Sequence, residues 1–310
     1  MGKKRSIFLL ILRGCAMGAA DVVPGVSGGT IAFITGIYEE LIDSIKSINP
    51  EAIRLIFRLK FKEFWTKING NFLLSVVCGV GISIFSLARL MTWLLEHHPI
   101  YIWSFFFGLI IASSGLVAKE IKKWNLPAVL SLISGFCIAY FITIMTPSET
   151  PDTWWFILLS GAIAICAMIL PGISGAFILL LMGKYAYILG AVSTFNVKTL
   201  LLFATGAITG IISFSHLLSW LLKKYHILTI SLLTGFMLGS LNKVWPWKET
   251  LQTYTDSHGV EKALIESNIS PRQFAELTHQ PALIWEAILM CILGFLLIWG
   301  IEKISHMRKK

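Results

Sequence analysis

The feature that most constrains this chain is a pair of long apolar stretches, residues 6–43 and 153–193, each broken near its middle by a Pro-Gly turn. The breaks read Asp21-Val-Val-Pro-Gly-Val-Ser-Gly-Gly29 and Leu170-Pro-Gly-Ile-Ser-Gly175. Each half is too short to cross about 30 Å of hydrocarbon comfortably. Non-helical backbone is tolerated at membrane depth only where it is buried in protein or lines a polar cavity. The breaks therefore predict two re-entrant hairpins of half-helices whose tips lie inside the membrane.

The composition of the chain excludes a water-soluble body. Apolar residues make up 55% of the 310 residues and charged residues 14%, whereas a globular protein carries roughly 25% charged residues. Six further stretches are long and apolar enough to span a membrane, namely 71–95, 99–118, 126–146, 199–222, 226–243 and 283–302. The sequence predicts an all-α polytopic membrane protein with two re-entrant hairpins and six spanning helices.

The net charge of +9 indicates membrane topology rather than nucleic-acid binding, because most basic residues flank the apolar stretches. The positive-inside rule places both termini in the cytoplasm. Arg13 interrupts the first apolar run, so residues 6–20 are expected to belong to the mature protein rather than to a signal peptide. Three cations, Arg13, Arg89 and Lys184, remain within apolar segments, where each charge costs about 2.5–3.5 kcal/mol and marks a candidate functional residue.

The two interrupted stretches are copies of one motif. One constant shift places Pro24 on Pro171 and Ser27 on Ser174, and a second places Arg89 on His216. Three predicted crossings separate the copies, so the copies are expected to have opposite orientations in the membrane, as in secondary transporters. The predicted division is a first repeat 1–125 with a cytoplasmic amphipathic segment 46–70, a connecting helix 126–146, a second repeat 153–243, an extracytoplasmic loop 244–282 with a helix start at Ser270, and a last helix with a basic tail 283–310.

The hairpin tips have the composition of an anion site. Ser27 and Ser174 stand at the N-cap positions of the second half-helices, whose first N–H groups and dipoles favour negative charge. Gly28, Gly29 and Gly175 would let a phosphate approach the backbone closely. The alternative interpretation is that Pro-Gly only kinks two helices and that the glycines permit tight packing.

The charged candidates have structural alternatives of their own. Arg13 and Arg89 are the strongest candidates to pair with a phosphate, although Arg89 and Lys184 could instead extend to the membrane interface. Asp21 could carry a coupling proton or balance Arg13. Glu39, near the mouth of the first hairpin, and His216 are the other proton-coupling candidates, and His216 could equally be a structural residue.

The motifs of an enzyme are absent from the sequence. It contains no G-x-S-x-G, H-E-x-x-H or Walker motif, and its five cysteines have no metal-ligand spacing. The loop 244–282 is too short to be a catalytic domain of normal size. We therefore expect no catalytic residue, no metal site and no cofactor.

The segment from Gly14 to Tyr38, together with Pro171-Gly-Ile-Ser-Gly175, resembles the bacterial polyprenyl-phosphate transporter family, first described as a membrane domain of unknown function. The resemblance implies a flippase that returns undecaprenyl phosphate, the lipid carrier of cell-wall synthesis, from the outer to the cytoplasmic leaflet of the bacterial cytoplasmic membrane. The motif residues that it carries over as substrate-binding candidates are Asp21, Pro24, Gly25, Ser27, Gly28, Gly29, Thr30, Pro171, Gly172, Ser174 and Gly175. Arg13, Arg89, Lys184 and His216 are candidates from their burial in apolar segments alone.

Three alternatives remain open from the sequence. A channel or porter for small anions fits an anion site at the tips equally well, because a helix N-terminus recognises charge and not the lipid chain behind it. An intramembrane lipid phosphatase would have to use Asp21, Ser27 and His216, whose spacing shows no specific catalytic pattern. The hairpins could also span the membrane as four short helices, which would move the tips to its surface.

Overall fold

The computed structural model describes residues 6–22, 27–148, 150–255 and 261–307. Apolar helices dominate these residues. The elements are α1 (Ile7–Val22), α2 (Gly28–Ile34), α3 (Tyr38–Lys46), α4 (Pro50–Phe57), α5 (Phe61–Lys67), α6 (Gly70–His97), α7 (Pro99–Ala118), α8 (Leu126–Ile144), α9 (Trp154–Ile169), α10 (Gly175–Leu181), α11 (Tyr185–Ser193), α12 (Val197–Lys224), α13 (His226–Ser240), β1 (Lys248–Thr255), β2 (Glu261–Asn268), α14 (Pro271–Thr278) and α15 (Ile284–Met307).

Helices lie at all six positions where the sequence predicts spanning segments, namely α6, α7, α8, α12, α13 and α15. Among the described residues, α7, α8 and α12 are each long and apolar enough to cross a membrane. The number rises to five if each of two bent helix pairs is counted as one span. The chain is therefore a polytopic helical membrane protein. The count of six spans stays a prediction.

Close helix crossings hold the bundle together. A Cβ atom built on Gly14 of α1 would lie 2.3 Å from the carbonyl oxygen of Val76 on α6, and one on Gly161 of α9 would lie 2.3 Å from that of Phe203 on α12. Small residues at such crossings let two backbones approach and gain van der Waals contact where lipid supplies no hydrophobic driving force. The pairs α1–α6 and α9–α12 therefore pack through matching glycines.

A second pair of crossings links distant parts of the chain. A Cβ atom on Gly108 of α7 would lie 1.9 Å from the carbonyl oxygen of Cys291 on α15. One on Gly235 of α13 would lie 2.1 Å from the carbonyl oxygen of Leu132 on α8. Only glycine fits either position without a shift of the neighbouring backbone, so α7 and α13 also make matching contacts.

Each interrupted stretch contains three helices rather than the two half-helices expected from its sequence. A second turn follows α2 at Gly36, with φ 66°, and another follows α10 at Gly183, with φ 63°. Glycine adopts positive φ without the steric cost that other residues incur. The axes of α10 and α11 consequently differ by 106°, a bend that the apolar pattern on both sides of the glycine does not reveal.

The predicted amphipathic segment 46–70 is divided into two short helices, α4 and α5. The chain turns between them at Leu59, which has φ 57°. Apolar side chains on both helices are exposed, with Phe57 83% exposed and Phe61 58% exposed. An exposed apolar surface beside basic residues agrees with contact with lipid, but one continuous helix does not form.

The all-α prediction is wrong for the loop 244–282. There β1 and β2 pair in antiparallel register, with Lys248 opposite Asn268. Threonine and tyrosine are frequent in β1 and favour extended backbone. The helix start predicted at Ser270 is confirmed, since α14 begins there with a capping box formed with Gln273. The indole N–H of Trp247 donates 2.8 Å to the carbonyl oxygen of Ala282 and ties the hairpin to the base of α15.

Candidate functional site

The two broken stretches meet at their breaks. The hydroxyl of Thr30, on α2, accepts a hydrogen bond from the backbone N–H of Gly172 at 3.0 Å. The hydroxyl of Ser27 donates to the carbonyl oxygen of Met168, at the end of α9, at 2.8 Å. Thr30 is 1% exposed and Ser27 is fully buried. Residues far apart in the sequence thus form one buried contact, here called the tip cluster and defined as Ser27, Gly28, Gly29, Thr30, Met168, Ile169 and Gly172.

The first amide groups of α2 are hydrogen-bonded to oxygens of the chain itself. Ser27 is the N-cap expected from the sequence, and its hydroxyl accepts from the N–H of Gly29 at 3.0 Å. The carboxylate of Asp21 accepts from the N–H of Gly28 at 2.7 Å. Ser174 caps α10 by accepting from the N–H of Phe177 at 3.5 Å. A carboxylate therefore occupies the position where the sequence predicts a bound anion.

Glycines at the tips permit the close contact between the two stretches. A Cβ atom on Gly29 would lie 2.2 Å from the carbonyl oxygen of Ile169 across the cluster. Gly172 has φ 85° and packs against the backbone of α13 at Phe236. Pro171 and Gly175 of the second motif are buried beside it. The glycines thus serve packing in this conformation, as the structural alternative to an anion site requires.

The remaining motif residues and arginines lie in different surroundings. Arg13 is half-buried on α1, about two helical turns before Asp21. Pro24 and Gly25 lie outside the described residues, and so does the side chain of Arg89. Of the two arginines predicted to bind phosphate, Arg13 is therefore the one whose side chain is described.

Lys184 lies apart from the tip cluster, at the start of α11, with its side chain 1% exposed. Its ammonium group forms an ion pair with Asp152 and donates to the carbonyl oxygen of Thr150 at 2.7 Å. The rings of Phe156 and Tyr187 each lie 5.5 Å from it. Its charge is thus compensated by Asp152, two residues before α9, which the sequence pattern does not single out.

The three proton-coupling candidates are separated. Glu39 is exposed, and its carboxylate lies 3.4 Å from Nε2 of His226. His216 is exposed on α12, with Nδ1 2.9 Å from the carbonyl oxygen of Ile212 in its own helix. Within the described part of the chain, no hydrogen bond joins Asp21, Glu39 and His216. A relay through these three residues is not assembled in this conformation.

A second polar region, which no motif of the sequence indicates, lies between β1, β2 and the ends of α8 and α13. It is a cavity of about 400 Å³ whose lining includes Lys243, Lys248 and Glu266. Phe177, whose amide is capped by Ser174, also lines it. The cavity therefore adjoins the second hairpin. Short of a motif, the signal for this cavity in the sequence is the pair Lys243 and Lys248, which lie on either side of Trp245-Pro-Trp247.

The apolar helices and the two broken stretches that meet at their breaks define the class as a polytopic helical membrane protein of the kind that carries solutes or lipids. The chain belongs to the VCA0040-like family, described as undecaprenyl phosphate translocase-like, whose model matches residues 17–262. This match includes both breaks and confirms the resemblance found in the motifs.

Two curated relatives support the same family. The chain is 50% identical over 305 residues to the polyprenyl-phosphate transporter of Vibrio cholerae, covering 98% of this chain and 99% of the relative. It is 34% identical over 257 residues to the polyprenyl-phosphate transporter of Staphylococcus aureus, covering 76% and 85%. No solved structure is significantly similar to it. Both relatives are named as transporters, so the family is one of transporters and not of enzymes.

Proposed function

We propose that this protein transports polyprenyl phosphate across the bacterial cytoplasmic membrane. The proposed substrate is undecaprenyl phosphate, returned from the outer to the cytoplasmic leaflet for reuse in cell-wall synthesis. The names of both relatives support the substrate class. The observation that carries the proposal is the buried hydrogen bond between Thr30 and Gly172, because it joins two broken stretches of the kind that form transporter substrate sites.

An inverted repeat would supply the two alternating openings of such a transporter. Helix lengths support the duplication: α1 and α9 each have 16 residues, α2 and α10 each have 7, α3 and α11 each have 9, and α6 and α12 each have 28. The matching contacts of α8 with α13 and of α15 with α7 suggest that α8 and α15 are repeat partners too. With both termini cytoplasmic, the first hairpin would open inward and the second outward.

The tip cluster is the proposed crossing point of the phosphate, and the isoprenoid chain would remain in lipid. The phosphate would replace the Asp21 carboxylate as the acceptor from the N–H of Gly28. A carboxylate binds an amide N–H more strongly than a protonated carboxyl group does, because charge-assisted hydrogen bonds are the stronger ones. Protonation of Asp21 would therefore weaken its bond with the N–H of Gly28. Asp21 is therefore our candidate for coupling transport to protons, and Arg13 and Arg89 are the candidates to balance the phosphate.

Transport by purified protein in liposomes tests this proposal. The substrate is a fluorescently labelled polyprenyl phosphate, and its leaflet is read by chemical quenching of the outer label. Thr30→Val keeps the side-chain shape but leaves the buried N–H of Gly172 without its partner, which costs about 1–3 kcal/mol. We expect transport to fall about tenfold or more. Thr205→Val is the matched control, since that exposed hydroxyl bonds only the carbonyl oxygen of Leu201 in its own helix.

Asp21→Asn separates coupling from binding. The amide keeps an oxygen that can accept from Gly28 but cannot take up a proton near neutral pH, so we expect residual transport that no longer responds to a pH gradient. Wild-type rates in both Thr30→Val and Asp21→Asn would contradict a role for the tip cluster. Chloride flux that labelled lipid does not inhibit would instead favour the small-anion alternative.

A further inference from the structure

The cavity beside the β-hairpin contains two partly desolvated ammonium groups that share one carboxylate. Nζ of Lys243 lies 3.0 Å and Nζ of Lys248 lies 3.3 Å from the same oxygen of Glu266. Their side chains are 16% and 8% exposed, and that of Glu266 is 23% exposed. These three groups carry a net charge of +1 when ionised. An anion that entered the cavity would complete the neutralisation of the second lysine.

The two ammonium groups are held in place by aromatic rings. Lys248 lies 3.9 Å from the ring centroid of Trp103, and Lys243 lies 4.6 Å from that of Phe177. Each ammonium has three N–H donors, and its described hydrogen bonds go only to Glu266. Donors thus remain for the oxygens of a ligand. Because the rings fix the lysines before a ligand arrives, little side-chain entropy is lost on binding.

The protonation of these groups favours an anionic ligand near neutral pH. Burial lowers the pKa of Lys248 to about 8, with Glu266 opposing and Lys243 reinforcing the shift. Burial alone would raise the pKa of Glu266, but the attraction of Lys248 and Lys243 outweighs it, so that pKa lies below its usual value. Tyr140 is the other titratable side chain in the lining. A bound anion would favour the charged form of Lys248.

The other side of the cavity is apolar and continues onto a surface that no described residue covers. Tyr140 and Ile144 of α8 line the cavity and are 42% and 52% exposed. The ring of Phe136, one turn away on α8, stacks on Tyr140 and is 40% exposed. Only Ala128, Gly135 and Ala139 of α8 are buried. A cationic end and an adjoining apolar helix face together match a molecule with a charged head and a hydrocarbon chain.

We propose that this cavity captures the phosphate monoester headgroup of a lipid, with Lys243 and Lys248 as its ligands and the hydrocarbon chain lying along the exposed face of α8. The phosphate replaces Glu266 as the counter-ion of at least one lysine. Positive-inside topology places the cavity on the outer side, and Phe177 connects it to the second hairpin, so the site precedes the tip cluster on the inward path. That order rests on the proposed function, whereas binding at the cavity does not.

Binding by the full-length protein in lipid nanodiscs tests the site, with isothermal titration calorimetry at pH 6.5 and farnesyl phosphate as the probe. We expect Lys243→Gln and Lys248→Gln each to weaken binding about tenfold, since each removes a charge-assisted hydrogen bond. Arg272→Gln is the matched control. It removes a cation of the same loop that is 90% exposed and paired with Glu276, and its affinity should equal that of the wild type.

Glu266→Gln provides a result that misfolding cannot produce. It removes the competing carboxylate, so farnesyl phosphate should bind more tightly than to the wild type. Wild-type affinity in both lysine variants would overturn the proposed site. Equal affinity for farnesol would do the same, because it would show an apolar site, and equal affinity for inorganic phosphate would overturn the assignment to a lipid headgroup.

Transport measured on the same variants separates this inference from the proposed function. The expected binding pattern in a protein that moves no labelled lipid would support the capture site and contradict the proposed function. Normal transport with unchanged binding in Lys243→Gln and Lys248→Gln would contradict the capture site alone.

Discussion

Lys184 and Asp152 form an ion pair whose partners differ greatly in burial, with side chains 1% and 58% exposed. Removing Asp152 alone leaves an ammonium group in an apolar site, with the carbonyl oxygen of Thr150 as its remaining hydrogen-bond partner. Removing Lys184 alone leaves a carboxylate that water can solvate. We therefore expect Asp152→Ala to destabilise the protein more than Lys184→Met does, although each substitution breaks the same bond.

The magnitude follows from the unequal exposure. Breaking a fully buried pair costs about 3–5 kcal/mol and breaking a surface pair about 0–1 kcal/mol. Asp152→Ala should fall between these ranges, at about 2 kcal/mol. Lys184→Met removes the charge together with its desolvation cost and keeps an unbranched side chain, so it should cost less than about 1 kcal/mol. The double variant should be no less stable than Lys184→Met, because the unpaired ammonium group is then absent.

Thermal unfolding in detergent, followed by tryptophan fluorescence, measures the order of the three variants. For a chain of this size we expect a midpoint about 2–4 °C lower for Asp152→Ala and a smaller change for the other two. Lys184→Met should also transport labelled lipid at the wild-type rate, which separates a structural lysine from a substrate ligand. A larger loss of stability in Lys184→Met than in Asp152→Ala, or loss of transport by folded Lys184→Met, would refute this reasoning.

Three further predictions concern other parts of the chain. Because the pKa of Lys248 is about 8, farnesyl phosphate affinity should decline as the pH rises through 8 and the ammonium loses its proton, and calorimetry from pH 6.5 to 9 should show no such decline in Lys248→Gln. Gly235→Ala places a Cβ 2.1 Å from the carbonyl oxygen of Leu132 and should cost about 1–3 kcal/mol in thermal unfolding, whereas Gly81→Ala, with open space around it, should not destabilise the protein. Ser270→Ala removes the cap of α14 and should cost about 1 kcal/mol of local stability, measured by faster amide hydrogen exchange in that helix.

The breaks, their N-caps and the helix positions could be predicted before the structure was known. Pro-Gly ends one helix, and the serine that follows caps the next, because both effects act within a few residues. Helices lie at the six positions where apolar runs predict them. The second turns at Gly36 and Gly183 were not predicted, since a single glycine inside an apolar run does not show by pattern alone whether the helix continues.

The charged groups were harder to interpret from the sequence. Lys184 was predicted to lie within an apolar segment, with extension to the membrane interface as the alternative. Its partner was not predicted, because Asp152 lies in a polar connection more than thirty residues earlier. Lys243 and Lys248, which line the cavity, lie at the start of a polar loop, where a lysine is ordinarily solvated. Their rings and shared carboxylate come from α7, α10 and β2, which are distant in the chain, so a local pattern carries no trace of the site.

The sequence by itself determined the membrane setting, the positions of the two breaks and the family, because hydropathy, backbone restriction and short motifs are properties of neighbouring residues. The tertiary structure decided three contacts. The hydroxyl of Thr30 accepts from the N–H of Gly172, the carboxylate of Asp21 accepts from the N–H of Gly28, and the ammonium of Lys248 lies over the ring of Trp103. Packing brings these partners into contact, and most of them are widely separated along the chain.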